Sequence, residues 1–261
     1  MVSRNTRYSI FYRGQTQQYF DGKGNVSILP SIYRGITLKQ KDVLEERFEI
    51  LDNSVKQLRA DLSGDSPRGL DPKFLRTVNC WAVIQHYELF GTPLIDVTQS
   101  LRVACAFALQ DVNDSEDEGP VIYDIALPFA AGPLTLDDNE ELYLMKLDAL
   151  MPPDALRPFI QESYLVGNEL IRMSGEDIAR SDLKRRVIAS FRLCGDKEKW
   201  REDIGLTADS LMVGDDKYSE LKRMIYGDEV KPVQADIGRE DVAKNLTKAL
   251  LEFAKIMKQM R

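Results

Sequence analysis

Few side chains of this sequence could serve as a nucleophile, a general base or a metal ligand. Among its 261 residues there is one histidine, His86, so a Ser-His-Asp or Cys-His mechanism would depend on that single imidazole. Cys80, Cys105 and Cys194 lie far apart and form no CxxC pair, so we expect buried, reduced thiols and no zinc site. No paired carboxylates accompany a basic stretch, which argues against a metal-dependent nuclease. The sequence therefore predicts no metal site.

Composition and charge are typical of a folded, soluble protein. Hydrophobic residues make up 43% of the chain and charged residues 30%, which excludes a disordered or low-complexity chain. A net charge of -7 provides no general basic field, so we expect no general binding of nucleic acid. No apolar run approaches the ~20 residues that span a bilayer, and the N-terminus lacks signal-peptide features. We therefore predict a cytoplasmic protein that does not enter a membrane.

The elements that must position any site alternate irregularly along the chain. Aromatic, β-branched and apolar runs predict strands over 8–12 (ending at Arg13-Gly14), 121–127 and 184–192. Helical spacing predicts helices over 38–62, 72–90 and 101–109, with an extended bridge at 94–98. Because strands and helices mix without βαβ repeats, the predicted fold class is α+β, with a small, mixed and largely antiparallel sheet or sheets flanked by helices.

The last part of the chain differs in pattern from the rest. After Gly227-Asp228 a polar link precedes an apolar stripe at helical spacing, from Val242 to Met260. This predicts a domain over 1–228 followed by a C-terminal linker and amphipathic helix over 229–261. The helix either docks on its own domain or binds a protein partner, since its mixed charge does not suit a membrane anchor.

Short motifs stand out at the start of the chain and around the only histidine. They are Tyr12-Arg13-Gly14-Gln15, Leu29-Pro30-Ser31, Gln85-His86-Tyr87, Gly91 to Thr98, and Ala104 to Ala108. Together they resemble the FRG domain family, named for its aromatic-Arg-Gly motif. Later segments at 157–164 and 204–211 extend the resemblance over about 8–224. Val97 stands where the family has Trp, and the stretch from His86 to Thr92 is rearranged.

A second and looser resemblance is to ADP-ribosyltransferases with an Arg–Ser–Glu layout. It rests on the strand with aromatic-Arg-Gly, a turn rich in Ser and Thr before an Ala…Phe-Ala helix, and a downstream acidic or amide residue. This resemblance implies an ADP-ribosyltransferase-like fold and NAD as the substrate. Our first functional hypothesis is therefore an NAD-dependent ADP-ribosyltransferase-like protein, acting as a toxin or defence effector of prokaryotic or phage origin.

The resemblance also suggests roles for individual residues. Arg13 would clamp the pyrophosphate of NAD through paired N–H donors, and Gly14 would allow close backbone approach. Gln161 or Glu162 would stabilise the oxocarbenium-like centre formed when nicotinamide leaves. Hydroxyls before the third helix would brace the nicotinamide ribose. Thr98 is the third residue with a predicted catalytic role, and the other residues with predicted ligand-binding roles are Gln15, His86, Ser100 and Tyr164.

Each candidate also has a structural alternative. Arg13 could pair with Asp96 inside the fold, and His86 could be a hydrogen-bonded core histidine. Thr98 could cap the following helix, and Tyr164 could pack in the core. The second hypothesis is accordingly a binding module without turnover, which recognises a nucleotide-like ligand or a protein partner.

Overall fold

The computed structural model describes residues 7–36, 41–61, 72–110, 119–151, 156–168 and 178–212. The chain divides into two compact units. The first comprises Met1–Leu29, Asp96–Glu169 and Arg180–Gly214, and the second comprises Pro30–Ile95, Leu170–Ala179 and Asp215–Arg261. The predicted boundary at 228 and the predicted linker and helix over 229–261 lie outside the described residues.

Seven strands of the described residues form one sheet. They are β1 (Tyr8–Gln15), β2 (Leu94–Thr98), β3 (Val121–Pro128), β4 (Leu134–Asp137), β5 (Leu142–Lys146), β6 (Ser163–Asn168) and β7 (Val187–Arg192). Their order across the sheet is β4-β5-β6-β2-β1-β3-β7. The sheet is antiparallel, as the pairs β1–β2, β1–β3, β3–β7, β4–β5 and β5–β6 show. The α+β class predicted from the sequence is confirmed.

The helices vary in length. They are α1 (Lys41–Asp61), α2 (Pro72–His86), α3 (Leu101–Ala108), α4 (Leu147–Leu150), α5 (Leu156–Ile160), α6 (Lys197–Ile204) and α7 (Ala208–Leu211), with 3-10 turns at Ser31–Tyr33, Ile178–Ser181 and Leu183–Arg186. In α1 the buried Leu44, Phe48, Leu51 and Val55 repeat every three or four residues, so burial of one face explains why the predicted helix forms. The first three helices all fall where the sequence predicts them.

β1 is longer than its sequence predicts. The expected end at Arg13-Gly14 is wrong, because Gly14 pairs with Ile122 and Gln15 with Val121 of β3. A glycine weakens an isolated strand, but here the ladder to β3 and close packing on α3 keep the strand extended.

Three strands, β4, β5 and β6, were not predicted from the sequence. Most of β5 and β6 is buried on both sides, so neither shows the alternation that identifies a strand. The predicted strand over 184–192 begins only at Val187, because a 3-10 turn occupies Leu183–Arg186. Asp182 caps this turn by accepting the backbone N–H of Lys184 at 2.9 Å. β7 therefore begins at Val187, the first residue after the 3-10 turn.

The cysteines differ in exposure. Cys80 and Cys105 are buried, whereas Cys194 is exposed, so the prediction of three buried thiols is wrong for Cys194. That residue follows the edge strand β7, where the chain returns to the surface. None of the three forms a disulfide bond within the described part of the chain.

Candidate functional site

Alternate residues of β1 point to opposite sides of the sheet in the first unit. Tyr12 and Gly14 contact α3, since Tyr12 packs against the cluster around Ala104 and Gly14 touches the same residue. We call this side the α3 face. Arg13 and Gln15 point to the other side.

The strand register extends that other side across β3 and β7. Arg13 lies opposite Tyr123, while Gln15 lies opposite Val121, whose partner on β7 is Arg192. Directly paired residues of antiparallel strands present their side chains to the same side. We call this side the arginine face and define it by Arg13, Gln15, Tyr123 and Arg192.

Arg13 is half-buried and anchored to β2. Its Nη1 donates a hydrogen bond of 2.7 Å to the backbone carbonyl oxygen of Asp96. A guanidinium is planar and permanently charged, so one bond to a fixed carbonyl orients the whole group. The arginine face therefore carries a cation that is held in a fixed position beside the buried side chains of Gln15 and Tyr123.

Gln15 and Tyr123 are buried on the arginine face, at 7% and 1% exposed, and each keeps unused hydrogen-bonding capacity among the described residues. Oε1 of Gln15 has no partner there, and the hydroxyl of Tyr123 interacts with the side chain of Gln18 but has no acceptor for its own proton. A buried polar atom without a partner costs about 1–3 kcal/mol in a folded protein. Natural proteins keep few of them, and a ligand that completes their bonds is one reason for keeping them.

The surroundings of Tyr123 are cationic. Burial raises the pKa of its hydroxyl, while a hydrogen bond with the side chain of Gln18 and the charges of Arg192 and Arg13 lower this pKa. Nη2 of Arg192 also donates to Oε1 of Gln18 at 2.8 Å. Because the net shift is upward, Tyr123 is protonated at neutral pH and its hydroxyl can donate to an anion.

Thr98, Ser100 and Gln161 lie close together, but their polar groups hold the fold. The hydroxyl of Thr98 donates to the backbone oxygen of Gln161 at 3.0 Å and accepts the backbone N–H of Ser100 at 3.0 Å. Nε2 of Gln161 donates to the backbone oxygen of Leu211 at 3.0 Å, and its Oε1 accepts the hydroxyl of Ser163. These bonds join the ends of β2, α5 and α7.

Thr98 also lies on the α3 face. It pairs with Tyr12, so its side chain points away from the side that bears Arg13. Ser100 is the N-cap of α3, although its side chain makes no capping hydrogen bond.

Glu162 and Tyr164 flank the start of β6. Glu162 is exposed and has a positive φ of 46° in the turn after α5. Tyr164 is buried, meets the ring of Phe11 edge to face at 5.0 Å and donates its hydroxyl to Oε1 of Gln99 at 3.1 Å. Phe11 precedes Arg13 by two residues, so Tyr164 packs beside the arginine face as part of the core.

Gly14 has a packing role in this structure. A Cβ atom placed on it would lie 1.8 Å from the backbone oxygen of Ala104 in α3. The close backbone approach that its sequence suggested is made to a helix of the same unit.

His86 lies in the second unit, at the end of α2. It is buried, and its ring meets that of Tyr87 edge to face at 5.5 Å. Nearby motif residues form one hydrogen-bonded cluster. Thr92 donates its hydroxyl to Oε1 of Gln85, and its backbone N–H donates to the hydroxyl of Ser31 at 3.0 Å. Ser31 of the Leu-Pro-Ser motif and Gln85 of the Gln-His-Tyr motif thus belong to one cluster within the second unit.

Sequence reasoning missed Tyr123 and Arg192. Tyr123 lies inside an apolar run that indicates only a buried strand, and Arg192 ends a strand of mixed character. Neither has a local signal, because only the register of β1, β3 and β7 places them beside Arg13.

Neither a cluster of metal ligands nor a membrane-spanning helix occurs among the described residues. Within those ranges no three or more His, Cys, Asp or Glu side chains are grouped so as to hold a metal ion. No helix in the same ranges has the length and apolar character needed to cross a membrane.

Comparison with known families identifies part of the chain. Residues 8–117 match the family model of the FRG domain, so the resemblance seen in the sequence is confirmed over those residues. The match includes β1 with Arg13 and runs through α1, α2, β2 and α3. No curated protein and no solved structure gives a significant match.

Proposed function

We propose that the protein binds NAD, or a nucleotide that shares its adenosine phosphate part, on the arginine face and acts as an ADP-ribosyltransferase-like protein. One observation supports this most strongly. The anchored guanidinium of Arg13 lies on the same side of the sheet as Gln15 Oε1, which is buried without a partner among the described residues, and the buried Tyr123 hydroxyl, whose proton has no acceptor there.

The chemistry of these groups indicates what the ligand must offer. A guanidinium and a phenol hydroxyl donate hydrogen bonds, so they favour anionic oxygen atoms such as those of a phosphate. The carbonyl oxygen of Gln15 only accepts, so it needs an O–H or N–H donor. A simple anion has no such donor, whereas a nucleotide carries both phosphate oxygens and ribose hydroxyls.

Catalysis would rest on Glu162. Gln161 and Thr98 use their polar groups within the fold, whereas the carboxylate of Glu162 is exposed at the start of β6, next to Tyr164. An exposed carboxylate could stabilise positive charge on the ribose as nicotinamide leaves.

A second candidate function is a nucleotide-binding module without turnover. The engagement of Gln161 and Thr98 in structural hydrogen bonds favours it, since two of the three residues with predicted catalytic roles are then unavailable. Both functions require the arginine face to bind its ligand.

The binding step is tested by calorimetry with NAD on the wild type, Arg13→Lys and Arg102→Lys. Lysine keeps the charge but loses the paired donors, so we expect NAD affinity to fall about tenfold or more in the first variant. Arg102 matches Arg13 in donating to a backbone carbonyl, that of Ile204 at 3.0 Å, but it belongs to α3 on the opposite side of the sheet. Arg102→Lys should bind NAD like the wild type.

Denaturation of the same variants separates binding from folding. Arg13→Lys also loses its bond to Asp96, which should cost about 1 kcal/mol of unfolding free energy. A lower midpoint with unchanged NAD affinity would show that Arg13 is structural and would overturn the proposed site.

Turnover is tested by the release of nicotinamide from NAD. Glu162→Gln should abolish release by a transferase and change NAD affinity by less than about twofold. A wild type that binds NAD and releases no nicotinamide with protein, nucleic-acid or small-molecule acceptors would establish the module instead.

A further inference from the structure

Three neighbouring strands bring a second arginine towards the first. Arg13 lies on β1, Tyr123 on β3 and Arg192 on β7, and adjacent strands are about 4.8 Å apart. Tyr123 pairs directly with Arg13 on one side and with Ser190 on the other, so Arg192 stands two residues along β7 from a direct partner. The backbones of the two arginines are therefore separated by roughly 10–12 Å across Tyr123.

The exposure of these three side chains increases from Tyr123 through Arg13 to Arg192. Tyr123 is 1% exposed and forms the floor, Arg13 is half-buried, and Arg192 is exposed. Arg192 is nonetheless oriented, because its Nη2 donates to Gln18 in the segment that follows β1. The row of these side chains thus runs from the exposed Arg192 to the buried hydroxyl of Tyr123, and the side chain of Gln18 interacts with both.

The spacing suits two anionic groups better than one. Each long arginine side chain can reach inward from its strand, so the pair can approach two linked phosphates while the hydroxyl of Tyr123 donates between them. A single phosphate near Arg13 and Tyr123 would leave Arg192 on the rim with Gln18.

We propose that Tyr123 and Arg192 form a second anion subsite on the arginine face, so that this face takes a diphosphate in preference to a monophosphate. The proposal rests on the proposed function in that it uses the same face, and it specifies the ligand class as a nucleoside diphosphate or a compound that contains one.

The test compares ADP and AMP by calorimetry on the wild type, Arg192→Gln and Arg185→Gln. The wild type should bind ADP about tenfold or more tightly than AMP. Arg192→Gln should lower ADP affinity to near that of AMP and change AMP affinity by less than about twofold. Arg185 is an exposed residue of the 3-10 turn before β7, so Arg185→Gln removes the same charge and should leave both affinities unchanged.

Tyr123→Phe provides a second variant that tests the floor. The proton of this hydroxyl has no acceptor among the described residues, so its removal loses only the interaction with Gln18 and should lower the free energy of unfolding by less than about 1 kcal/mol. Affinity for ADP should still fall severalfold. A larger loss of stability with ADP affinity unchanged would place the hydroxyl in the fold and remove it from the subsite.

Measuring the binding of inorganic pyrophosphate distinguishes a failure of this proposal from a failure of the proposed function. If pyrophosphate binds and Arg192→Gln weakens it, but NAD does not bind, the subsite stands and the nucleotide function fails. If NAD binds through Arg13 and Arg192→Gln leaves ADP and pyrophosphate unaffected, the subsite fails and the function stands. Equal losses of ADP and AMP in Arg192→Gln would also overturn the preference for a diphosphate.

Discussion

The α3 face and the arginine face are built from the same strands, yet they differ in the groups that they present. On the α3 face, Gly14 lies against the backbone of Ala104, and Ile122 joins a cluster of buried apolar side chains. On the arginine face, Gln15 Oε1 is buried without a partner among the described residues, and the buried Tyr123 hydroxyl has no acceptor there for its proton. One side of the sheet packs against its own helix, and we propose that a ligand binds to the other.

This difference shows that the Arg-Gly pair serves two purposes at once. Successive residues of a strand point to opposite sides, so Arg13 takes part in the arginine face while Gly14 allows α3 to pack closely. A face that costs stability in the unbound protein is what a binding site is expected to show.

The largest effect should come from filling the contact between β1 and α3. Gly14→Ala would place Cβ 1.8 Å from the backbone oxygen of Ala104, and backbone cannot move aside cheaply. We expect a loss of about 3 kcal/mol or more in the free energy of unfolding, measured by chemical denaturation. Gly22→Ala is the control, since nothing lies within 4 Å of its added Cβ. A small loss at Gly14 would mean that the α3 face is loosely packed.

The alkylation rates of the cysteines should show how tightly the α3 face is packed. Cys105 belongs to the buried cluster of the α3 face, where burial raises the pKa of its thiol, whereas Cys194 is exposed. Alkylation of the native protein should modify Cys194 first, with Cys105 slower by about tenfold or more. Mass spectrometry of timed samples measures both rates, and all three thiols should react in denaturant. Equal native rates would contradict a closed α3 face.

The smallest effect should come from Asp124, which pairs with Tyr12 and so lies on the α3 side of β3. Burial raises the pKa of its carboxyl, and its Oδ1 has no partner among the described residues. The charged form is therefore disfavoured in the folded state. The resulting cost is present above the folded pKa and disappears below the unfolded pKa of about 3.9.

Asp124→Asn should consequently be more stable than the wild type at neutral pH, by about 0.5 kcal/mol, and lose this advantage as the pH falls towards the unfolded pKa. Urea denaturation at several pH values measures the difference. Asp138→Asn, at an exposed turn, should show no such trend. An advantage that grows with acid would contradict the assigned cause.

Much of the fold could be predicted from local patterns. The spacing of Leu44, Phe48 and Val55 predicted α1, and the apolar run around Ile122 predicted β3. β5 and β6 could not be predicted in this way, because most of their side chains are buried on both sides and show neither period. Strand pairing supplies the missing information, and it joins segments that are distant in the chain.

The candidate site could likewise be predicted only in part from the sequence. Arg13 and Gln15 were identified from a motif of four adjacent residues, and the FRG resemblance of that region is confirmed. The same motifs assigned Thr98 and Gln161 to catalysis, but their hydroxyl and amide groups bond to the backbone of the fold. A motif shows which residues occur together, and it does not show whether their polar groups are already satisfied.

By itself, the sequence determined the α+β class, the first three helices and the Arg-Gly motif on β1, because these depend on patterns within a few turns or a few strand residues. The tertiary structure alone decided that Tyr123 and Arg192 join Arg13. Their meeting depends on the register of three antiparallel strands, and a shift of one residue would turn each side chain to the opposite side. Register is set by packing across the whole sheet, so no local stretch of sequence contains it.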